Sequence, residues 1–142
     1  MKHTVYFKAA QNMNLLGDNT IDIVVTSPPY PMIEMWDEIM SSQNYEIKKA
    51  FEENKPRQAF ELMHQELDKV WTECWRVLKE GAFLCINIGD ATRTIAGEFA
   101  LYNNNTRIIQ ACEKLGFTNL PNILWKKTTN APQRAHGSCP AS

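Results

Sequence analysis

The fold of this chain is decided by the run Ile21-Asp22-Ile23-Val24-Val25-Thr26-Ser27-Pro28-Pro29-Tyr30. Its first six residues are mostly β-branched and almost continuously apolar, a pattern typical of a parallel strand that is buried on both faces. The two prolines after Ser27 cannot continue a central ladder of hydrogen bonds, so the strand has to end at Thr26. The run therefore predicts a buried strand over 21–26 that passes directly into a rigid turn.

Strand and helix patterns alternate along the rest of the chain. Apolar runs predict a second buried strand over 82–88 and a third over 120–125, with a short strand at 5–7. Over 58–79, apolar residues recur at three-, four- and seven-residue spacing, which predicts the strongest helix. Gly81 is predicted to close that helix, because glycine takes the left-handed conformation without strain.

Weaker helical patterns fill the gaps between the strands. Residues 32–55 are predicted to be helical in parts, interrupted at 41–44 and separated by Pro56 from the next helix. A later helix carries Ile108, Ile109, Cys112 and Leu115, and Gly116 closes it. Strand, helix, strand, helix, strand predicts an α/β fold, a mostly parallel sheet with right-handed crossover helices. In such sheets the chemistry sits at the carboxyl ends of the strands, here Ser27–Tyr30 and Gly89-Asp90.

Length and composition are those of one globular domain. The 142 residues are 44% apolar and 22% charged, and no apolar run approaches the roughly 20 residues that span a bilayer. The first residues have no signal-peptide pattern, so we expect a cytoplasmic protein without a membrane partner. The net charge of −1 argues against a free-standing electrostatic DNA binder, although residues 116–142 hold three basic and no acidic side chains.

The cysteines and histidines do not form a metal-binding pattern. Cys74, Cys85, Cys112 and Cys139 include no closely spaced pair, so no metal site is predicted. The first three fall on apolar faces and are interpreted as small core residues. The histidines His3, His64 and His136 are scattered along the chain and are assigned no role.

The turn after the first strand has a distinctive chemistry. Pro28 and Pro29 fix φ near −65° and remove two N–H groups, which leaves carbonyl acceptors without local donors. Beside the Ser27 hydroxyl, such an acceptor suits an incoming amino group, and the ring of Tyr30 can stack on a flat heterocycle. The sequence therefore predicts a pocket for an exocyclic amine on an aromatic base. The alternative is a surface turn whose tyrosine packs on the core.

The run 22–30 resembles motif IV of the amino-methyltransferases, which methylate cytosine or adenine at the exocyclic nitrogen. The resemblance continues through 86–93 and 124–127, which look like later strand-end motifs of the same catalytic half, so it covers about residues 5–132. It implies a partial Rossmann-like methyltransferase sheet, S-adenosylmethionine as the cofactor of the complete enzyme, and DNA as the substrate. A motif that begins with serine tends in this family toward cytosine N4, and one that begins with Asp or Asn tends toward adenine.

Carried over to this sequence, the resemblance assigns roles to the residues of the motif. Family members flip the target base out of the duplex, so Tyr30 becomes its stacking platform. Ser27 and Pro28 become the acceptors that hold the amine, and Pro29 holds the turn. Thr26, at the strand end, is assigned to cofactor contact. Substrate or DNA contacts are assigned to Asp90, Lys126 and Lys127, although Asp90 could instead cap the next segment and the lysines could be plain surface charge.

Two departures from the family pattern concern the cofactor. The family's cofactor half has a Phe-x-Gly-x-Gly turn, whereas no two glycines of this chain are separated by one residue. Ala9 stands roughly where the family often has an acidic cofactor contact. Residues 1–142 are therefore interpreted as an incomplete, motif-bearing half of a methyltransferase domain, with an irregular tail over 128–142. On this interpretation the chain alone is expected to be inactive and to bind the cofactor weakly or not at all.

Three functions remain open at this point. The first is the catalytic part of a DNA cytosine methyltransferase that works with a second chain or as a homodimer. The second is a non-catalytic remnant or split-enzyme half with a scaffolding, self-association or weak nucleic-acid-binding role. The third, methylation of a protein or RNA amide, usually uses a motif that begins with asparagine, so Ser27 disfavours it.

Overall fold

A pair of parallel strands forms the centre of the fold in the computed structural model, which describes residues 1–127. These strands are β1 (Ile21–Thr26) and β2 (Leu78–Ile86). In their register Val24 lies beside Leu84 and Thr26 beside Ile86. The strand predicted over 21–26 is confirmed, and the one predicted over 82–88 begins and ends earlier than expected.

The pairing of the two strands is irregular near its start. Ile21 pairs with Leu78 but Ile23 pairs with Phe83, so β2 holds extra residues opposite Asp22. Gly81 lies in this stretch with φ 75°, a conformation that costs glycine little. The prediction that Gly81 closes the long helix was wrong, because that helix ends before β2 begins and the glycine forms the bulge instead.

Residues 1–127 also form four α-helices and one 3-10 turn. They are the turn Glu34–Trp36, α1 (Asp37–Gln43), α2 (Tyr45–Glu52), α3 (Pro56–Val77) and α4 (Asn104–Leu115). The partly helical character predicted for 32–55 is confirmed, but the interruption predicted at 41–44 is shorter, because α1 continues through residues 41–43. The interruption is at Asn44, whose side chain accepts a hydrogen bond of 3.1 Å from the Glu46 N–H and so caps α2.

The strongest predicted helix, over 58–79, corresponds to α3. Pro56 separates α2 from α3 as predicted, and it is the first residue of α3, where a missing N–H removes no hydrogen bond. The apolar stripe is confirmed: Met63, Leu67 and Trp71 are buried in the core. The carboxyl end of α4 is also as predicted, because Gly116 has φ 113° and the Phe117 N–H reaches the Cys112 carbonyl at 3.1 Å.

An antiparallel hairpin, which was not predicted from the sequence, follows the second strand. Its strands are β3 (Ala91–Ile95) and β4 (Glu98–Tyr102). Ala96 and Gly97 form its tip with φ 51° and 83°, as a two-residue hairpin turn with the twist of the strands requires. The α/β class is confirmed, with one parallel pair and a separate hairpin among the described residues.

The strand predicted over 120–125 was wrong, and so was the short strand at 5–7. Both segments lack regular secondary structure, and Ile123 and Leu124 are 98% and 91% exposed. An apolar run becomes a strand only when another strand accepts its hydrogen bonds, and the described part of the chain places none beside either segment. Pro121 also removes one of the donors that a ladder at 120–125 would use.

The two faces of the parallel pair are covered unequally. Val24 and Leu84 on one face pack against the buried core. On the other face Ile23 is 53% exposed, Val25 75% and Phe83 56%, and Cys85 is exposed as well. The prediction of strands buried on both faces was therefore wrong for the described residues, since nothing in them packs over this side.

The cysteines follow the same division. Cys74 and Cys112 are buried in the core, as predicted, and burial raises their thiol pKa values to about 11 and about 12. Cys85 was predicted to be a core residue, but it lies on the uncovered face. Cys139 is outside the described residues. No helix of the described residues is long and apolar enough to cross a membrane.

Candidate active site

The turn that ends β1 presents a hydroxyl above a buried proline. Thr26, the last residue of β1, pairs with Ile86, and its carbonyl accepts a hydrogen bond of 2.8 Å from the Asn87 N–H. Ser27 is exposed, Pro28 is buried and Pro29 is half-buried. The turn is thus anchored through the buried Pro28, while Ser27 is accessible to solvent.

The chain continues from Tyr30 into a tight turn with unusual backbone conformation. The Ile33 N–H donates to the Tyr30 carbonyl at 3.1 Å, and Pro31 occupies the first central position. Met32, at the second, has φ 69°, which together with Pro31 identifies a type II turn. That position normally requires glycine or asparagine, so the methionine is strained there. Its side chain is 1% exposed, so core packing helps to hold the strained conformation.

The exit of β2 lies against the motif. A Cβ atom placed on Gly89 would stand 3.4 Å from Cε2 of Tyr30, so the glycine backbone approaches the edge of that ring closely. Tyr30 itself is half-buried. The prediction that the polar exits at Ser27–Tyr30 and Gly89-Asp90 share one edge of the sheet is therefore confirmed.

Asp90 has a structural partner. Its Oδ1 accepts a hydrogen bond of 3.0 Å from the Asn105 N–H in the first turn of α4. A carboxylate at this end of a helix also interacts favourably with the helix dipole. The alternative role considered for Asp90, capping the next segment, is thus the one with a contact in the structure, and its contact with DNA stays a prediction.

The two lysines of the basic segment are solvent-exposed. Lys127 lies over the ring of Trp125, with Nζ 5.3 Å from the ring centroid. No hydrogen bond or ion pair within residues 1–127 joins Lys126 or Lys127 to the motif, so their contact with DNA stays a prediction.

Two polar residues beneath the motif were missed by the sequence analysis. Asn104 and His64 are both 0% exposed, and His64 Nε2 lies 2.9 Å from Asn104 Oδ1. Asn104 Nδ2 donates to the carbonyls of Pro31 at 3.0 Å and Gly89 at 3.1 Å. Asn104 lies in the polar run Asn103-Asn104-Asn105, which gives no sign of burial. His64, however, falls at helical spacing from Phe60 and Leu67 on the apolar stripe of α3, which could have marked it as buried.

An open pocket lies elsewhere on the molecule. Its volume is about 640 Å³, and its walls come from α1, α2 and β3, including Asp37, Phe51 and Arg93. Arg93 donates two hydrogen bonds, of 2.9 and 2.6 Å, to the Asp37 carboxylate. None of the lining residues belongs to the motif, so the pocket is separate from the candidate active site. Among the described residues no cluster of three or more His, Cys, Asp or Glu side chains could hold a metal ion.

Three comparisons with known proteins bear on this site. A family model described as DNA methylase matches residues 21–140. The chain is 48% identical to the type II methyltransferase M.MjaI of Methanocaldococcus jannaschii, over 96% of this chain and 48% of that protein. It is 45% identical to the type II methyltransferase M.MthZI of Methanothermobacter thermautotrophicus, over 96% of this chain and 39% of that protein.

The fold also matches a solved structure. It is TTHA0409 of Thermus thermophilus, assigned as a DNA modification methylase, in complex with S-adenosyl-L-methionine. The TM-score is 0.63 and the identity 29%, over 88% of this chain and 46% of that one. A further crystal structure of TTHA0409 matches with a TM-score of 0.56 and 28% identity, over 78% of this chain and 39% of that one. The chain therefore spans less than half of the length of each of these three proteins.

Proposed function

The chain belongs to the DNA methylase family, and we propose that it is the motif-bearing part of an S-adenosylmethionine-dependent enzyme that methylates the exocyclic amine of cytosine in DNA. The observation that carries the proposal is the rigid turn Ser27–Tyr30 at the carboxyl end of β1, with the β2 exit against the Tyr30 ring. The names of the relatives, type II methyltransferases, support a modification enzyme of a restriction–modification system.

Tyr30 is the proposed platform for the flipped base. Its ring is half-buried, and the Gly89 backbone lies close to one edge of the ring, where a side chain at position 89 would make contact. Stacking on an aromatic ring holds a base by its flat face and is insensitive to which base is stacked. Discrimination between cytosine and adenine therefore has to come from polar groups around the ring.

Ser27 and Pro28 are the proposed acceptors of the amine. The two N–H groups of an exocyclic amine each need an acceptor once the base has left the duplex. The exposed Ser27 hydroxyl and the Pro28 carbonyl are acceptors on a turn that Pro28 and Pro29 make rigid. Holding both hydrogens leaves the nitrogen lone pair free for methyl transfer, and positioning of this kind supplies much of the rate enhancement.

The cofactor S-adenosylmethionine would supply the activated methyl group. The described residues alone do not offer it a glycine-rich turn, since none of their glycines stands one residue from another. Thr26 at the end of β1 is retained as a proposed contact, because cofactors bind at strand ends in such sheets. We propose that most of the cofactor site comes from the rest of the methyltransferase fold, and that the residues of this chain hold the base and its amine.

The uncovered face of the β1–β2 pair supports the proposal that another part of the methyltransferase packs against this chain. Parallel sheets are normally buried on both faces, whereas Ile23, Val25 and Phe83 are more than half exposed here. We propose that the remaining half of the methyltransferase fold, in a second chain or a longer polypeptide, covers them. A homodimer through this face would favour the alternative function of a self-associating, non-catalytic half.

The proposed contacts with nucleic acid extend beyond the turn. Lys126 and Lys127 would bind phosphate, and Asp90, at the exit of β2, would contact the substrate or DNA. An enzyme that modifies DNA has to be in the same compartment as the DNA. In a cell without a nucleus that compartment is the cytoplasm.

Two substitutions test the proposal in the complete or reconstituted enzyme. Tyr30→Ala should weaken binding of DNA with a flipped base by about 1–3 kcal/mol, the usual value of base stacking on an aromatic side chain. Ser27→Ala should leave that affinity nearly unchanged and lower the single-turnover rate, because the amine is misplaced. Mass spectrometry of the methylated nucleosides should give N4-methylcytosine.

Matched controls separate these effects from loss of folding. Tyr45→Ala removes an exposed tyrosine from α2, and Ser42→Ala removes an exposed hydroxyl from α1. Both should bind and methylate like the parent protein. If Ser27→Ala and Tyr30→Ala fold normally and methylate at the parent rate, the turn is not the site. N6-methyladenine as the product would retain the enzyme class and overturn the preference for cytosine.

A further inference from the structure

Asn104 occupies a position from which one side chain reaches both strand exits. It is the first residue of α4 and is 0% exposed. We propose that Asn104 is a positioning residue that sets the geometry of the Ser27–Tyr30 turn, and that His64 fixes the orientation of its amide. The inference rests on the proposed function for its catalytic consequence, while its structural part can be tested separately.

The first hydrogen bond of Asn104 holds a strained turn. Its Nδ2 lies 3.0 Å from the Pro31 carbonyl oxygen. That carbonyl belongs to the peptide between Pro31 and Met32, whose orientation distinguishes a type II turn from a type I turn. With φ 69° at Met32, the type I orientation would relieve strain, and the bond from Asn104 opposes that change. Asn104 thus helps to hold the peptide after Pro31, one residue beyond Tyr30, in its less favourable orientation.

The second hydrogen bond joins the same side chain to the other strand exit. Nδ2 lies 3.1 Å from the Gly89 carbonyl oxygen, and the Gly89 backbone approaches the edge of the Tyr30 ring. One amide group therefore fixes the β1 exit and the β2 exit relative to each other. The distance between the Tyr30 ring and the Gly89 backbone therefore depends on this bridge.

His64 holds the Asn104 amide in the orientation that the two carbonyls require. Carbonyl oxygens only accept hydrogen bonds, so the two carbonyls oblige the NH₂ group to face them, and Oδ1 must turn to His64 Nε2 at 2.9 Å. His64 must then be the donor, with its proton on Nε2. Burial lowers the pKa of His64 to about 4, so the ring is neutral near pH 7. The charged groups facing it are Arg107, Asp68 and Glu61.

The key substitution is Asn104→Asp, which keeps the shape and removes both N–H donors. In the complete or reconstituted enzyme, the single-turnover rate per folded molecule should fall by about 100-fold, as for a reacting group displaced by about 1 Å. The affinity for DNA should change by less than about threefold, since Tyr30 and the phosphate contacts remain. Asn103→Asp, the same chemical change at an exposed position one residue earlier, should methylate at the parent rate.

Two substitutions at His64 test its role. His64→Gln keeps an N–H donor that can reach Oδ1 and should retain most of the rate, whereas His64→Leu has no donor and should lose at least about tenfold. This pair of variants also carries the test if Asn104→Asp does not fold. The proposal is overturned if His64→Gln and His64→Leu have equal rates per folded molecule, or if Asn104→Asp reduces activity only in proportion to the unfolded fraction.

Hydrogen exchange on the chain itself separates this inference from the proposed function. Asn104→Asp should increase amide exchange at Ile33 and in 87–90, and leave the centre of β1 unchanged. If the parent enzyme methylates no DNA but this pattern is seen, the proposed function fails and the bridge stands. If the parent methylates DNA and Asn104→Asp alters neither the exchange nor the rate, the bridge fails and the proposed function stands.

Discussion

The two faces of the β1–β2 strand pair have similar residue types but different surroundings. On one face Val24 and Leu84 pack against the core, while on the other Val25 and Phe83 are 75% and 56% exposed. Apart from Asp22, every residue of β1 is β-branched, so its sequence marks neither side of the strand as polar. The strand sequence thus indicates that both faces are suited to burial. The neighbouring elements determine which of the two faces is buried in this chain.

The largest expected effect lies in the core that covers one face. Trp71 is 0% exposed, so Trp71→Ala should lower the free energy of unfolding by about 3–5 kcal/mol. Trp75, one turn later on the same helix, is 45% exposed and packs against Phe117. Trp75→Ala should therefore cost clearly less. Urea denaturation of both variants makes the comparison, and equal losses would show that burial does not separate the two sides of α3.

Acid should destabilise the folded protein through the buried side chain of His64. Its pKa is about 4 in the folded protein, below the ordinary value of 6.5, so the unfolded chain binds the proton first. This contribution to stability is complete above pH 6.5 and is lost as the pH falls toward 4, by about 3 kcal/mol in total.

Comparison with His64→Gln isolates that contribution from the carboxylates. The pKa of Glu61 is lowered chiefly by its hydrogen bond to Arg107, so protonation of this carboxylate in acid also destabilises the folded protein. His64→Gln retains this effect. The unfolding free energy measured at pH 7 and pH 4 should decrease less in His64→Gln than in the parent. An identical decrease in both proteins would contradict the burial of a neutral histidine.

Thiol reactivity should distinguish the two faces without affecting stability. In a Cys139→Ser background, iodoacetamide should modify the exposed Cys85 first, because the buried Cys74 and Cys112 have raised pKa values and form little thiolate. Addition of the remaining half of the methyltransferase should protect Cys85 if that half covers this face. Peptide mass spectrometry reads out the order, and preferential labelling of Cys74 would contradict it.

The smallest effect is expected on the uncovered face. Val25→Thr keeps the β-branched shape and replaces one methyl group by a hydroxyl at a residue that is 75% exposed. The free energy of unfolding should change by less than about 0.5 kcal/mol. In the reconstituted complex the same substitution should become costly, because a hydroxyl would then be buried. A large loss in the chain alone would mean that something already covers this face.

The elements that could be predicted from sequence are those whose pattern is local. The strand at 21–26, the apolar stripe of α3 and the end of α4 at Gly116 depend on residues close in the chain. The run at 120–125 has the same apolar character as 21–26, but no described strand lies beside it. Strand formation requires a neighbour, and a single segment does not contain that information.

The same holds for the candidate site: its contiguous part could be predicted from the sequence, and its long-range contacts could not. Its motif could be found because Ser27–Tyr30 is contiguous, and its place beside Gly89 because parallel strands align their ends. The bridge through Asn104 and His64 joins positions 31, 64, 89 and 104, and only the folded chain brings these together. The hairpin β3–β4 turns at Ala96-Gly97, where only the glycine is typical of such a turn, so its local sequence signal is weak.

The junction between α3 and β2 differs from the hairpin in how it would tolerate insertions. Val77 ends the helix and Leu78 begins the strand, and both are buried, so added residues there would shift every pairing of β2 with β1. At the hairpin tip, added residues would extend into solvent and leave both strands in register. A fluorescent label or a short affinity tag therefore belongs between Ala96 and Gly97, where it can report on the protein without altering the strand that leads to Gly89.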